Sequence, residues 1–451
     1  MKKFLCVLLS LTMVLLLAAC SSAAANDPSS NSAASDSDSS AAASDASSES
    51  GEKPSGTFTM WAWDEGALTG CMDLLHETYP DVNVDYLNVV NEEILQKMQT
   101  TIASGMAIPD LWWSDGENRG KFQNMGILCN LEEEFGFNPD LVFDFLKPLS
   151  TDAAGNWVAI PSNGAIAGLS YQRDLAEQYL GTSDPDELEK LLPDWDAFIA
   201  KGKEVNEKSG GAVRMLPSAS DAYQIISLQN STSYVTDGAV DYTNALQPTL
   251  DILFKMRENN VFGDAEIWGT AWYASYAESK YIFYPTATWS VRWQNESYSE
   301  PNGNWGLMTA PGGSFVWGGA NWVIAKDSEV KDAAWAYVEW FSLSEAGAKY
   351  MQETCSWYTP YKAMYEGDNL ETYASNHSDW FGDQDIGLKL WTDIAQDDIQ
   401  MRQVGEYDSV VNEIAQLIVK SIQSDSAFTS DQAKTTFTSE LGSRDSSLTV
   451  K

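Results

Sequence analysis

From Thr57 onward the chain switches between two hydrophobic periods. Thr57-Phe58-Thr59-Met60-Trp61-Ala62-Trp63 alternates and is rich in strand formers. Past Asp64-Glu65-Gly66 the apolar positions become Leu68, Met72 and Leu75, a spacing that predicts one helix running up to Pro80. Val82-Asn83-Val84-Asp85-Tyr86 predicts a second strand. Asn91-Glu92-Glu93 opens another helix, with Ile94, Leu95, Met98 and Ile102 on one face and Gly105 as its stop. Ile108-Pro109-Asp110-Leu111-Trp112-Trp113 leads into a third strand. Strand, helix, strand, helix, strand implies an α/β fold with a parallel sheet covered by helices. Ligands in such sheets sit beyond the C-terminal strand ends, which here carry Trp63-Asp64-Glu65 and Trp113-Ser114-Asp115.

The first 55 residues follow a different logic. Lys2 and Lys3 precede Phe4 to Leu17, an apolar run too short for a transmembrane helix, and Leu17-Ala18-Ala19-Cys20 resembles a bacterial lipobox. This predicts a signal peptide over 1–19, with the Cys20 thiol acylated; the alternative is an ordinary signal peptide cleaved nearby. Residues 21–55 hold 14 Ser and 9 Ala and nothing apolar larger than Ala, so they cannot bury enough surface to order themselves. We therefore expect 20–55 to be a tether and ordered protein to begin near Gly56. Of five cysteines, Cys71, Cys129 and Cys355 belong to the body, an odd number without CxxC or metal spacing. Three buried thiols are expected rather than a disulfide framework.

Charge narrows the choice of partner. The chain has 451 residues, enough for two or more domains, and a net charge of −38. Nucleic acids and anionic membrane surfaces are poor partners for such a field. Two histidines leave little room for His-ligated metals or Ser–His and Cys–His catalysis, and neither GxSxG nor HExxH occurs. Asp383-Gln384-Asp385-Ile386-Gly387 only faintly echoes a calcium loop and is expected to be a solvated loop. No cofactor and no metal are expected. Neutral ligands remain, and aromatics at 12% of the chain suit them.

Further along, a set of segments arrives in a familiar order. Asn156-Trp157-Val158-Ala159-Ile160-Pro161 is similar to a "YGLP" crossing segment, and Gly168-Leu169-Ser170-Tyr171-Gln172-Arg173-Asp174-Leu175 to "LYYNKDL". Asp194-Trp195-Asp196-Ala197-Phe198 stands where "TWDEF" is expected. Pro311-Gly312-Gly313, then Trp317-Gly318-Gly319-Ala320-Asn321-Trp322, and a helical pattern from Ser328 to Phe341 complete the series. Together these resemble the family 1 extracellular solute-binding proteins, the carbohydrate-binding lipoproteins of ABC importers that include maltose-binding protein. The resemblance covers essentially all of 56–451; Tyr171-Gln172-Arg173 departs from the usual Tyr-Asn-Lys. It implies a two-lobed, periplasmic-binding-protein-like (type II) α/β fold, hinged by two or three crossing segments near 161–165, 309–319 and 351–357. Lobe I would be 56–162 plus 318–350, and lobe II 163–317 plus 351–451. The implied protein is a monomeric, lipid-anchored receptor on the outer face of a Gram-positive-type membrane. It would pass a neutral sugar, an oligosaccharide above all, to ABC permease subunits.

A sugar has apolar ring faces and hydroxyl-lined edges. Trp and Tyr suit the first, and acids, amides and Arg the second. Candidate ligand-binding residues are Trp63, Asp64, Glu65, Trp113, Asp115, Tyr223, Trp289, Arg292, Trp317, Gly318, Gly319, Trp357 and Tyr358. Trp289 stands at the match to the family's stacking Trp. Trp61, one of Trp112 and Trp113, Trp195, Trp335, Tyr337 and Trp340 are expected to pack in the interior. Two other readings stay open: a solute receptor for a polyamine or peptide, since acids dominate the field, and a glycoside hydrolase, since acid pairs in an aromatic cleft describe that too.

Overall fold

The computed structural model describes residues 53–396 and 398–451. The expected signal peptide, Cys20 and nearly all of the tether lie outside the described residues. In chain order the strands are β1 (Gly56–Ala62), β2 (Val82–Asn88), β3 (Leu111–Ser114), β4 (Ile160–Pro161), β5 (Ile166–Gln172), β6 (Val235–Thr236) and β7 (Ala239–Val240). After these come β8 (Phe283–Ala287), β9 (Trp305–Met308), β10 (Phe315–Val316), β11 (Asn321–Ile324) and β12 (Thr449–Val450). They build two main sheets and one small one.

The first sheet has the order β2-β1-β3-β11-β4. β1 runs parallel to both β2 and β3, as the sequence pattern predicts; β11 then closes the sheet antiparallel between β3 and β4. Alternation puts Phe58, Met60, Ala62, Leu111, Trp113, Trp322 and Ile324 into one core and Trp61, Trp112 and Val323 into the other. Trp61 is thus interior, with the Lys97 ammonium 5.0 Å from its ring centroid. Tyr337 and Trp340 are buried on helix Lys331–Leu343, and half-buried Trp335 stacks on Phe135, 3° from parallel.

The second sheet is antiparallel around β5, which pairs with β8, β9 and β10. Every residue of β5 is buried, because both faces of this sheet are covered. Ala167, Leu169, Tyr171, Phe283 and Met308 face the largest core, filled by helices that include Ala219–Leu228, Gln247–Glu258 and Asp408–Ser424. Ile166, Tyr284 and Leu307 face a core that also holds Tyr358, Tyr365 and Trp391. Leu146 and Leu149, which the expected boundaries put in lobe I, pack in that same core. Trp195 opens helix Trp195–Lys208, buried, with its indole N–H donating to Gln229 Oε1 at 2.9 Å.

The chain passes from the first sheet to the second between β4 and β5, and returns between β10 and β11. A third passage follows the π-helix Met351–Cys355: Trp357 packs in a first-sheet core and Tyr358 in a second-sheet core.

One predicted element differs. The helix expected to run up to Pro80 is two, Glu65–Thr69 and Met72–Thr78. A Cβ on Gly70 would lie 2.8 Å from Tyr350 Oη, so the break falls where a neighbouring side chain crosses at a residue with poor helix propensity. Cys71, Cys129 and Cys355 are buried and unbridged, and burial pushes their thiols up to about 12, 11 and 12, which keeps them protonated and inert.

Candidate ligand-binding cleft

The C-terminal ends of β1 and β3 open directly into a cavity of about 400 Å³. Past β1, Trp63 enters the wall, and Asp64 caps the next helix, one carboxylate oxygen accepting Ala67 N–H at 3.1 Å. Past β3, Asp115 does the same for Gly116 N–H at 2.5 Å. Capping fixes both carboxylates where the strands end. Trp63 meets Trp113 edge-on, centroids 4.7 Å apart, and Trp113 lies 6.1 Å from Trp357. Trp289 and Trp293 line the cavity as well.

Its remaining lining comes from the passages between the sheets: Ser162 and Asn163 from the first, Gly318, Gly319 and Ala320 from the second, and Trp357 from the third. These are tied together, Ser162 donating its N–H and its hydroxyl to Ala320 O, each at 2.8 Å. Gly318 and Gly319 have φ of +70° and +76°. A Cβ on Gly318 would reach 3.4 Å from Trp289 Nε1, and one on Gly319 would reach 2.7 Å from Ala165 Cβ. Glycine is therefore required for the turn and for the close approach at once.

Trp289 follows β8. Its indole N–H donates to Trp317 O at 2.7 Å, and its ring touches three of the hydrophobic cores. That bond sets the ring's orientation before any ligand arrives. Buried Arg119 donates to the carbonyls of Gly318 and Gly319 and to Asp115 Oδ1 at 3.4 Å. Burial pulls its guanidinium below the ordinary value, and Asp115 opposes that.

Asp115, Trp289 and Gly318 also belong to the wall of a second, larger cavity of about 600 Å³. Tyr223, on helix Ala219–Leu228, and Trp317 line it, with Trp268, Asn118, Gln224, Arg402 and Asp408. Tyr223 donates its hydroxyl to Asn412 Oδ1 at 2.8 Å. Burial pushes the Asp408 carboxyl up to about 6, against the pull of Arg402.

Of the thirteen candidates, the first cavity gathers Trp63, Asp64, Trp113, Asp115, Trp289, Gly318, Gly319 and Trp357, and the second adds Tyr223 and Trp317. Three stand elsewhere. Glu65 is exposed on the first turn of helix Glu65–Thr69. Arg292 is exposed and donates to Thr354 O at 3.2 Å. In its place Trp293, the fourth residue after Trp289 and the second of the π-helix Arg292–Glu296, reaches the cavity. Tyr358 is buried, its hydroxyl accepting from Asn376 Nδ2 at 3.2 Å; after left-handed Ser356, Trp357 packs in a first-sheet core and Tyr358 in a second-sheet core.

Asp385, in the acidic loop, accepts from Asn376 N–H and Leu388 N–H, each at 2.9 Å, and from Ser375 Oγ at 2.5 Å. Burial pushes its carboxyl up, but these bonds outweigh it and hold the group below the usual range. Among the described residues no group of three or more His, Cys, Asp or Glu could hold a metal ion, and no helix is long and apolar enough to cross a membrane.

The profile of the bacterial extracellular solute-binding proteins matches residues 75–377. The chain belongs to that family. A lactose-binding protein of Rhizobium radiobacter is 26% identical to this solute-binding protein over 209 residues, 44% of the chain and 48% of that relative. The chain thus aligns with about half the length of the curated relative it matches. Among solved structures, a family 1 extracellular solute-binding protein superposes with a TM-score of 0.75 at 18% identity, over 86% of this chain and 99% of the other. The galacto-N-biose/lacto-N-biose I-binding protein of the ABC transporter from Bifidobacterium longum gives 0.68 at 16%, over 89% and 100%. The sugar-binding protein MalE from Xanthomonas citri gives 0.68 at 16%, over 86% and 98%. At these identities the structural likenesses show the fold, a two-lobed α/β architecture.

Proposed function

We propose that this solute-binding protein captures a neutral carbohydrate, an oligosaccharide above all, and presents it to the permease of an ABC importer. The observation that carries this reading is the makeup of the first cavity: five tryptophans with Asp64, Asp115, Ser162 and Asn163, lined by all three passages between the sheets. Indole faces suit the apolar faces of sugar rings, and the carboxylates and amide suit hydroxyl edges. A ligand in contact with the passages and with both walls favours one arrangement of the lobes over another, which is what a hinged receptor needs. The names of the Rhizobium and Bifidobacterium relatives, which bind lactose and lacto-N-biose, support a sugar as cargo. We take the lobes to divide near 162/163, 317/318 and 350/351, the protein to act as a monomer, and the site to bind without turnover.

Calorimetric titration with neutral oligosaccharides, alongside spermidine and short peptides, tests this. A glycan that binds and is recovered uncleaved is expected. Binding of spermidine or peptide alone would move the assignment to a cationic ligand held by Asp64 and Asp115 within the tryptophan walls. Recovery of cleaved glycan would revive the hydrolase reading.

The lipobox-like Leu17-Ala18-Ala19-Cys20 further supports acylation of Cys20 and an anchored receptor outside the cell. Cys20→Ser is expected to shift the protein from the membrane fraction to the medium; membrane retention of the variant would rule the anchor out.

A further inference from the structure

Trp268 has a backbone conformation that bulky side chains avoid. Its φ is +65°, and Gly269 N–H donates back to Glu266 O at 2.9 Å, so Glu266 to Gly269 form a tight turn with Trp268 at its third position. Ile267 keeps negative φ, which makes this a turn of type II form, where glycine or asparagine normally takes the third place. A tryptophan there is a genuine outlier, and such strain collects at ligand sites. The ring nevertheless stays 46% exposed, so burial in a core does not explain it.

The surroundings give it a purpose. Trp268 lines the second cavity, and its ring lies 24° from parallel with that of Trp289, centroids 6.3 Å apart. Trp317 packs against both, at 5.5 Å and 5.1 Å. Beneath Trp268 the buried ring of Trp272 donates its N–H to Asp221 Oδ1 at 2.8 Å, and Asp221 itself is fully buried. The shelf is therefore rigid from below. Trp268 lines the second cavity, whose walls also carry Asn118, Gln224 and Arg402, whereas Trp289 lines both that cavity and the tryptophan-walled one.

Building on the carbohydrate reading, we infer that Trp268 is a second ring platform that reads the length of the ligand. One sugar ring rests in the first cavity against Trp289, and the next rests against Trp268 with its hydroxyls toward the polar walls of the second cavity. The strained turn holds the indole out where glycine would leave a gap.

The test titrates glucose, galactose, lactose, maltose, maltotriose and raffinose into the purified wild type and into Trp268→Ala, Trp268→Phe and Trp289→Ala. Trp268→Ala is expected to weaken the bound di- or trisaccharide about tenfold or more and to leave its component monosaccharide unchanged. Trp268→Phe should recover part of the loss, and Trp289→Ala should weaken every sugar that binds. Trp268→Gly, which relieves the turn, should keep the thermal midpoint while losing affinity like Trp268→Ala, so misfolding is separable from loss of a platform. Equal weakening of mono- and oligosaccharide by Trp268→Ala, or no weakening, overturns the inference and leaves the carbohydrate reading standing. So does a wild type that binds monosaccharides only. A wild type that binds none of these sugars overturns both.

Discussion

Trp289 is placed by one directed hydrogen bond, its N–H to Trp317 O, and by packing against three cores. Its loss should remove a preorganised face without unfolding either lobe. Trp289→Ala is expected to weaken the best sugar ligand by roughly ten- to a hundredfold, while the thermal midpoint falls through lost packing but unfolding stays cooperative; calorimetry and a melting curve read both. Asp221 makes a prediction of a different kind. Burial pushes its carboxyl up to about 7, although Ser218 Oγ and Trp272 Nε1 donate to it. An unfolded aspartate titrates near about 3.9, so the folded state binds the proton more tightly. The cost of ionising Asp221 in place is absent below about pH 4 and complete above about pH 7, and its contribution to stability falls as pH rises through that window. Acidifying from pH 7.5 to 5.5 should raise the melting temperature of wild type more than that of Asp221→Asn. Equal slopes would show that Asp221 ionises freely.

The same contrast between residue and context explains what the sequence could tell. Period-two and helical patterns were legible for β1, β2, the helix Asn91–Ala103 and β3, because each follows the period of its own element over a run of neighbouring residues. Trp63, Asp64 and Asp115 were legible because they end parallel strands, where the fold itself aims them. Arg292, Tyr358 and Trp268 were not, since their placement depends on a π-helix, an irregular segment after left-handed Ser356 and a strained turn, none of which leaves a periodic trace. The return of β11 to the first sheet, from more than 200 residues away, came only through the family resemblance, which put 318–350 with 56–162; no local pattern announces it. At this scale the passage between β10 and β11 is the sensitive element. Gly319 has positive φ and almost touches Ala165, so Gly319→Ala strains the passage at both points. It should cost about 1–3 kcal/mol of stability, read by denaturant titration, and weaken ligand even though no contacting side chain is removed. A variant as stable as wild type would mean that the passage adapts.

Over the whole molecule, three passages joining two sheets and lining the cavity make lobe movement the natural response to occupancy. Saturating sugar is expected to shrink the radius of gyration measured by small-angle X-ray scattering; an unchanged value would point to a receptor whose lobes do not move. With a net charge of −38, like charge on the two lobes opposes closure, so added salt should favour the compact form in the same experiment. The pairing of Trp63 with Trp113, edge to face at 4.7 Å, has a consequence of its own. Two indoles that close share their electronic excitations, and their coupled transitions give a paired, opposite-signed band in the circular dichroism whose size follows the angle between the rings. A ligand settling on that wall, or a lobe turning beside it, changes the angle. The protein therefore carries an optical goniometer in the wall of its candidate cleft, readable without a label.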